Sequence, residues 1–325
     1  MKLTIQIPSW ARQIVSDLTD MERNPHPVDS AKVRQFTLEL PDDAYFEYAF
    51  LDESGRMRPD PANETRADNP WYPEASAVYG PAYRPDPYAA PAAEARGRTA
   101  RERLESRALG QSRRLVLYTP AGHAGEPLPV AYVQDGTAYL RIARLPAVLE
   151  ALLAAGEVRP AHLVFLEPVD RAAEYRYNPA YRAFMVEEVL PFAEGRLAVS
   201  GERVALGASL GGLASAALAA HHPELFGAVL AQSGAFMGSP EEPDFYRGER
   251  SWLESRLRAG AAQGVRWWLQ VGTLEWLLAV NRRVKEALAA GGYEHAYLER
   301  HAGHNWVNWR NGLASALRFA LPPEG

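Results

Sequence analysis

Serine, carboxylate and histidine side chains follow one another in the C-terminal part of this chain in an order suited to nucleophilic catalysis. The segment Gly207-Ala208-Ser209-Leu210-Gly211 follows a short apolar run at residues 204–206 and opens an alanine-rich helical stretch. A serine on such a strand-to-helix turn sits on a strained backbone that lifts its hydroxyl above the sheet. Small residues two before and two after it let strand and helix approach closely. The helix N-terminus also directs its positive dipole end at a developing oxyanion. The chemistry this permits is attack by an activated hydroxyl and formation of an acyl intermediate. A glycine-rich turn that only packs a helix onto a sheet carries the same residue types, so the partners of Ser209 decide.

A serine hydroxyl needs a base, and of eight histidines only His295, His301 and His304 fall where the last strand and its following loop are expected. YEHAYLER alternates as a strand with His295 inside it, whereas AGHNW places His304 in the loop just after. His304 is therefore the candidate base and His301 its reserve. His221 and His222 close the helix before Pro223, where polar and cationic residues commonly end helices. The base in turn needs an acceptor on its other nitrogen. Glu275 fits best, in the loop Gly272-Thr273-Leu274-Glu275 after the strand RWWLQVG and ahead of His304. An ordinary first-turn carboxylate favoured by the helix dipole would look the same, and Glu241, Glu242 and Asp244 in the preceding long loop compete. An oxyanion hole would combine the Leu210 amide with that of Gly136 or Thr137, from the turn Gln134-Asp135-Gly136-Thr137 after the apolar run 130–133. Asp135 is read as shaping that loop.

The elements that must position these groups are legible as short apolar runs at residues 115–118, 130–133, 163–166, 204–206, 228–231, 267–271 and 296–298, mostly separated by helical stretches. Such alternation specifies a mostly parallel sheet with helices on both faces, because parallel neighbours need crossover connections. Ligands then bind beyond the carboxyl ends of the strands. Ahead of this α/β region, QFTLELPDDAYFEYAF alternates around a Pro-Asp-Asp break, predicting two half-buried strands joined by a turn. RMRPDPANETRADNPWYP forbids long regular elements, and the Pro, Ala and Arg-rich stretch 80–97 reads as a linker. The division expected is a β-sandwich-like domain with linker at residues 1–96 and a catalytic domain at 97–325.

A chain of 325 residues with 47% hydrophobic content can build a large core or two smaller ones. A formal net charge of −5 gives no global basic field for a nucleic acid, and neutral or small partners fit better. Zero cysteines exclude disulfides, thiolate metal sites and a cysteine nucleophile, and suit a reducing cytoplasm. No signal-peptide core is read at the N-terminus, where Gln6, Pro8 and Arg12 interrupt the apolar residues, and no membrane span is expected.

Several segments together carry a resemblance. ESRALGQSRRLVLYTP, the QDGTAYL turn, the GASLGGLASAALAAHHPELFGAVLAQSG elbow, VGTLEWLLAVNRRVKEAL and AGHNWVNWRNGLASAL occur in the order found in the enterochelin esterase-like branch of the putative esterase, or esterase D-like, α/β-hydrolase family. The elbow is shared by many hydrolases, whereas an Asp-Gly turn combined with Gly-His-Asn-Trp near the C-terminus is more specific. The resemblance spans about residues 101–321 and implies an α/β-hydrolase fold and carboxylic ester hydrolysis. Ser209 matches the family's nucleophile, His304 its base and Glu275 its acid. FEYAFLDESGRMRPDPANETR is similar to the small immunoglobulin-like, early-set β-domain that precedes such esterases, and also to glycogen-binding modules. In enterochelin esterases that domain helps enclose an iron-siderophore; here it is shorter, and its catechol-binding residues find no one-to-one match. Arg171, Glu174, Tyr175 and Asn178 in DRAAEYRYNPAYR resemble a family segment near the pocket, which implies substrate contacts, although a solvated loop charge is the plainer reading of Arg171. Trp276, Trp306 and Trp309 flank the proposed acid and base, where they could receive a substrate ring or simply pack.

The expected enzyme is thus a serine esterase acting on a small-molecule ester, siderophore-like or aryl, without metal or organic cofactor. Acyl transfer to an alcohol through the same residues is one alternative. A carbohydrate-binding protein with a degenerate hydrolase domain is another. The sequence says nothing of oligomeric state.

Overall fold

The structure is a computed structural model describing residues 1–21, 23–241 and 251–323. It falls into two compact units: Met1–Asp86 with Val271–Leu278 and Glu299–Asn311, and Pro87–Gln270 with Ala279–Leu298 and Gly312–Gly325.

The N-terminal strands of the first unit are antiparallel throughout. β1 (Lys2–Gln6) and β4 (Gln35–Glu39) pair as a two-stranded sheet. A second sheet runs β3 (His26–Pro27), β2 (Gln13–Ser16), β5 (Tyr45–Leu51) and β6 (Met57–Arg58), with β7 (Ser76–Tyr79) also on β5. Both strands expected within residues 35–50 therefore exist, but the hairpin between them does not. β4 pairs with β1, whereas β5 takes β2, β6 and β7. Every residue of β5 is buried, so its alternation is not the alternation of a half-exposed strand. The polar members of that strand find partners inside. Tyr45 donates to Glu47 at 2.8 Å and Tyr48 to Asp60 at 2.7 Å, which removes the penalty of burying them unsatisfied.

The second unit carries an eight-stranded mixed sheet, apart from the last two residues of two of its strands. In chain order its strands are β8 (Arg98–Ser106), β9 (Gln111–Thr119), β10 (Leu128–Val133), β11 (His162–Leu166), β12 (Val199–Ala208), β13 (Ala228–Gln232), β14 (Arg266–Gly272) and β15 (His295–Arg300). In space they run β15-β14-β13-β12-β10-β11-β9-β8. From β11 through β10, β12 and β13 to β14 the pairing is parallel, and β9 and β8 add antiparallel at the edge. Each of the seven apolar runs lies in a strand, β9 to β15. β8 was not expected: its alternation RTARERLES sets charged residues against half-buried ones, the pattern of a solvated edge. β10, β11 and β13 are buried end to end, as strands with helices on both faces must be.

After β10 the chain crosses to β11 on one side, then returns to place β12 on the other. The strand order reverses at β10, and in open α/β sheets the crevice beyond the carboxyl ends at such a reversal is where ligands bind. The turns that leave β10 and β12 are the two expected to carry Gly136 and Ser209. Among the described residues no helix is long and apolar enough to cross a membrane.

Candidate active site

Ser209 follows β12 directly and caps the helix Leu210–His221, with φ 55° and ψ −121°. Few non-glycine residues tolerate a positive φ, and here the surroundings hold it. The Ser209 amide donates to the Gln232 carbonyl at 2.8 Å, and its carbonyl accepts from Leu213 and Ala235, both at 3.0 Å. The flanking glycines are required by close approach. A Cβ at Gly207 would lie 2.4 Å from the backbone of Gly211, and one at Gly211 would lie 2.7 Å from Asp135 Oδ2. Neither neighbour of Gly207 is a flexible side-chain end, so Gly207→Ala is expected to cost about 2–4 kcal/mol. A chemical melt checks this; a variant within about 0.5 kcal/mol of the parent would contradict the packing described.

The same contact shows that the helix after Ser209 starts against the turn after β10. Asp135 has φ 54° and ψ 45°, and its carboxylate receives Arg171 in a two-pronged pair, Nε to Oδ1 at 2.7 Å and Nη2 to Oδ2 at 2.8 Å. Arg171 Nη2 also donates to the Ala208 carbonyl at 3.1 Å. One guanidinium thus ties the turn of Gly136 to the residue before Ser209. Burial lowers the Arg171 pKa, but the Asp135 carboxylate more than offsets it, and the net direction is upward. Tyr175 is buried, and its hydroxyl accepts the Asp135 amide at 3.0 Å. Asn178 caps the helix Pro179–Ala183 by accepting from Ala180 at 2.8 Å and reaches back to the Ala173 carbonyl at 2.9 Å. Glu174 accepts from Arg113 at 2.7 Å, both side chains nearly inaccessible. The structure therefore places this segment as the support of the two turns.

Of the two candidate donors beside Leu210, Thr137 already gives its amide to Glu167 at 2.8 Å. Among the described residues the amides of Leu210 and Gly136 donate to no protein acceptor. Gly136 is also fixed by contact: a Cβ there would lie 2.6 Å from the Leu166 nitrogen.

The first unit brings Glu275 and His304 together. Glu275 Oε2 lies in hydrogen-bond contact with His304 Nδ1, and Oε1 accepts the Gly272 amide at 2.6 Å. The Glu275 side chain has no solvent exposure and that of His304 retains 18%. A carboxylate on Nδ1 leaves the other ring nitrogen as the working end of the imidazole. The loop bearing His304 rests on Asp17, a residue with no signal in the sequence. Asp17 Oδ1 accepts from Asn305 Nδ2 at 3.3 Å and Oδ2 accepts the Glu47 amide at 2.7 Å. A Cβ at Gly303 would come within 1.9 Å of Asp17 Oδ1, so only glycine fits before the histidine. Trp306 is 1% exposed and packs edge-on against Trp71 and Trp309, while Trp309 meets the His304 ring at 5.0 Å. Trp276 is half-buried beneath the Arg23 guanidinium.

Glu47 is pushed up to about 7, chiefly by burial and against the hydrogen bonds from Asn69 and Tyr45. Asp17 is raised in the same direction by burial and by Glu47. A carboxyl raised in the folded state gives its full stability below its ordinary value of 4.5 and loses it as pH rises through about 7. Stability is therefore expected to fall between about pH 5 and pH 7, by up to about 1.4 kcal/mol per pH unit for each such group. Glu47→Gln should flatten the slope in denaturant titrations across that range. An unaltered slope would show that the dependence arises elsewhere.

The remaining sequence candidates lie apart from this arrangement. His301 pairs with Asp43 at 2.6 Å, His295 lies within β15, and His221 stacks on Trp252 at 4.7 Å. Burial, with Arg182 and the other cations nearby, pushes His221 down to about 4. The Glu241 amide donates to Ser239 at 3.3 Å in an exposed turn, while Glu242 and Asp244 lie outside the described residues.

A mixed sheet in this order, with a serine elbow at its reversal point, defines the α/β-hydrolase class of fold. Residues 106–320, more than half of the chain, match the family model described as "Putative esterase", and the chain belongs to that family. It is 34% identical over 238 residues to the iron(III) enterobactin esterase of Dickeya dadantii, covering 67% of this chain and 53% of that protein. It thus spans about half the length of the curated relatives it matches. Among solved structures, the ferric enterobactin esterase of Salmonella typhimurium superposes with a TM-score of 0.76 at 20% identity, covering 98% of this chain and 92% of that one. A ferulic acid esterase from Anaeromyces mucronatus gives 0.60 at 18% identity over 73% and 96%. At these identities the two structures share the fold.

Proposed function

We propose that the chain is a carboxylic ester hydrolase in which Ser209 is the nucleophile, His304 the general base and Glu275 the acid that orients it. The observation that carries this reading is Ser209 itself. A non-glycine residue at φ 55° is costly, and this one stands where the sheet order reverses, beside two uncommitted amides. Ser209 attacks the ester carbonyl as His304 takes its proton. The amides of Leu210 and Gly136 receive the oxyanion, and the protonated imidazole passes its proton to the leaving alcohol. Water then attacks the acyl-enzyme, with His304 again as base, and frees the acid. Thr137 serves less well as donor because its amide holds Glu167.

The catalytic part in this reading is residues 97–325, preceded by a small all-β, immunoglobulin-like domain, and a cysteine-free chain suits work in the cytoplasm. The relatives named iron(III) enterobactin esterase and ferulic acid esterase point to a small aryl or siderophore-like ester as substrate. A hydrolysis screen of acetyl, longer acyl, feruloyl and catecholate esters tests this, with Ser209→Ala as the blank. Turnover of one class well above the blank is the expected result. Equal rates with the two proteins on every ester would overturn the reading.

A further inference from the structure

Beside the turn of Gly136 the second unit holds a groove of about 560 Å3 that no step above uses. One wall is the helix Gly136–Arg141; the other is the face of β8, β9 and β11. On that face the register puts Arg103 directly opposite Arg114, and Arg101 opposite Val116, which in turn faces Phe165. Directly opposite residues of an antiparallel pair project to the same side. Arg101, Arg103 and Arg114 therefore line one side of the groove and Arg141 the other. The floor is apolar, with Val116, Leu140 and Phe165.

Arg101, Arg103, Arg114 and Arg141 stand together around the groove. Among the described residues none of them forms an ion pair. Two carboxylates, Glu102 and Glu167, also line the groove, and each has a partner of its own. Glu167 accepts the Thr137 amide, Glu102 lies 3.6 Å from Arg196, and Glu105, on the arginine face of β8, makes no ion pair. Like charges set directly opposite across a strand pair destabilise it, and a chain of net charge −5 has acidic residues available to neutralise them. A concave site with unpaired guanidinium groups at its rim and an apolar floor suits an anion on an apolar stem. The planar fork of arginine matches a carboxylate in particular.

We propose that this groove is a subsite for a free carboxylate carried on an apolar stem by the ester that Ser209 cleaves. The proposal rests on the reading of Ser209 as nucleophile and adds a charge requirement to the substrate. Gly136 belongs both to the groove wall and to the proposed oxyanion turn, so the groove adjoins that turn.

Two matched esters test it, 4-nitrophenyl hemiadipate and 4-nitrophenyl heptanoate, which differ in shape mainly by exchange of a carboxylate for an ethyl group. The expected kcat/KM ratio favours the hemiadipate by about 10-fold or more at low salt and falls toward unity in about 0.5 M NaCl. It should likewise collapse in Arg103→Gln/Arg114→Gln but persist in Arg34→Gln, an exposed arginine of the first unit. A ratio near unity in the parent protein, or an unchanged ratio in the double variant, overturns the proposal. Calorimetric titration with adipate keeps this separate from the nucleophile assignment. If neither ester is turned over, the titration alone decides for the groove, and the ester screen above decides for Ser209. Adipate binding that weakens about 5-fold or more in the double variant still supports the groove, whereas equal or absent binding removes it.

Discussion

Ester hydrolysis by Ser209→Ala is expected to fall by about 10⁴ or more in kcat, with the fold intact. The size follows from what the substitution removes. On the proposed mechanism no acyl-enzyme forms without the hydroxyl, and only the amide donors and ester binding remain, which in serine hydrolases supply about 10³–10⁴ over water. Retention of the fold follows from the surroundings: Ser209 is held through its backbone, to Gln232, Leu213 and Ala235. Alanine meets the same positive φ with a similar cost, so thermal unfolding should change little. A fluorophosphonate probe should label the parent and not the variant. A folded Ser209→Ala protein with parental turnover would dispose of the assignment.

The second large effect is expected at His304. His304→Ala should lower kcat by a similar factor, because a neutral serine hydroxyl without its base is a poor nucleophile. Ser209→Ala/His304→Ala should lose little beyond either single change, since the proposed mechanism has the two act in one step. A multiplicative loss in the double variant would mean that the residues serve separate steps. Glu275→Ala is expected to cost less, about 10²–10⁴, because the imidazole can still accept a proton but loses its preferred tautomer and the partner of its charged form. Glu275 also holds the Gly272 amide, so Glu275→Gln, which keeps an acceptor there, separates loss of charge from loss of loop structure.

The parallel strands were legible because each is a short apolar run buried on both faces, and burial imprints itself directly on composition. The elbow was legible because two glycines and a strand-to-helix change coincide within five residues. The edge strand β8 was not, since solvation lets arginine and glutamate occupy it. The partners of β4 and β5 were not, because alternation marks a strand without saying which strand it meets. Asp17 and Asn305 left no trace either. Their effect depends on a contact across 288 positions of sequence, and nothing local distinguishes a supporting aspartate from a solvated one.

By itself, then, the sequence determined the α/β order, the place of Ser209 and the loop of His304, all carried by periodicity and short-range turn chemistry. Tertiary structure alone decided which carboxylate meets His304 Nδ1, that Thr137 spends its amide on Glu167, and that Arg171 is held by Asp135 and Arg113 by Glu174 while Arg101, Arg103 and Arg114 make no ion pair among the described residues. Each of these is a choice among chemically equivalent groups. Such choices are settled by distance and desolvation, which a linear order of residues does not contain.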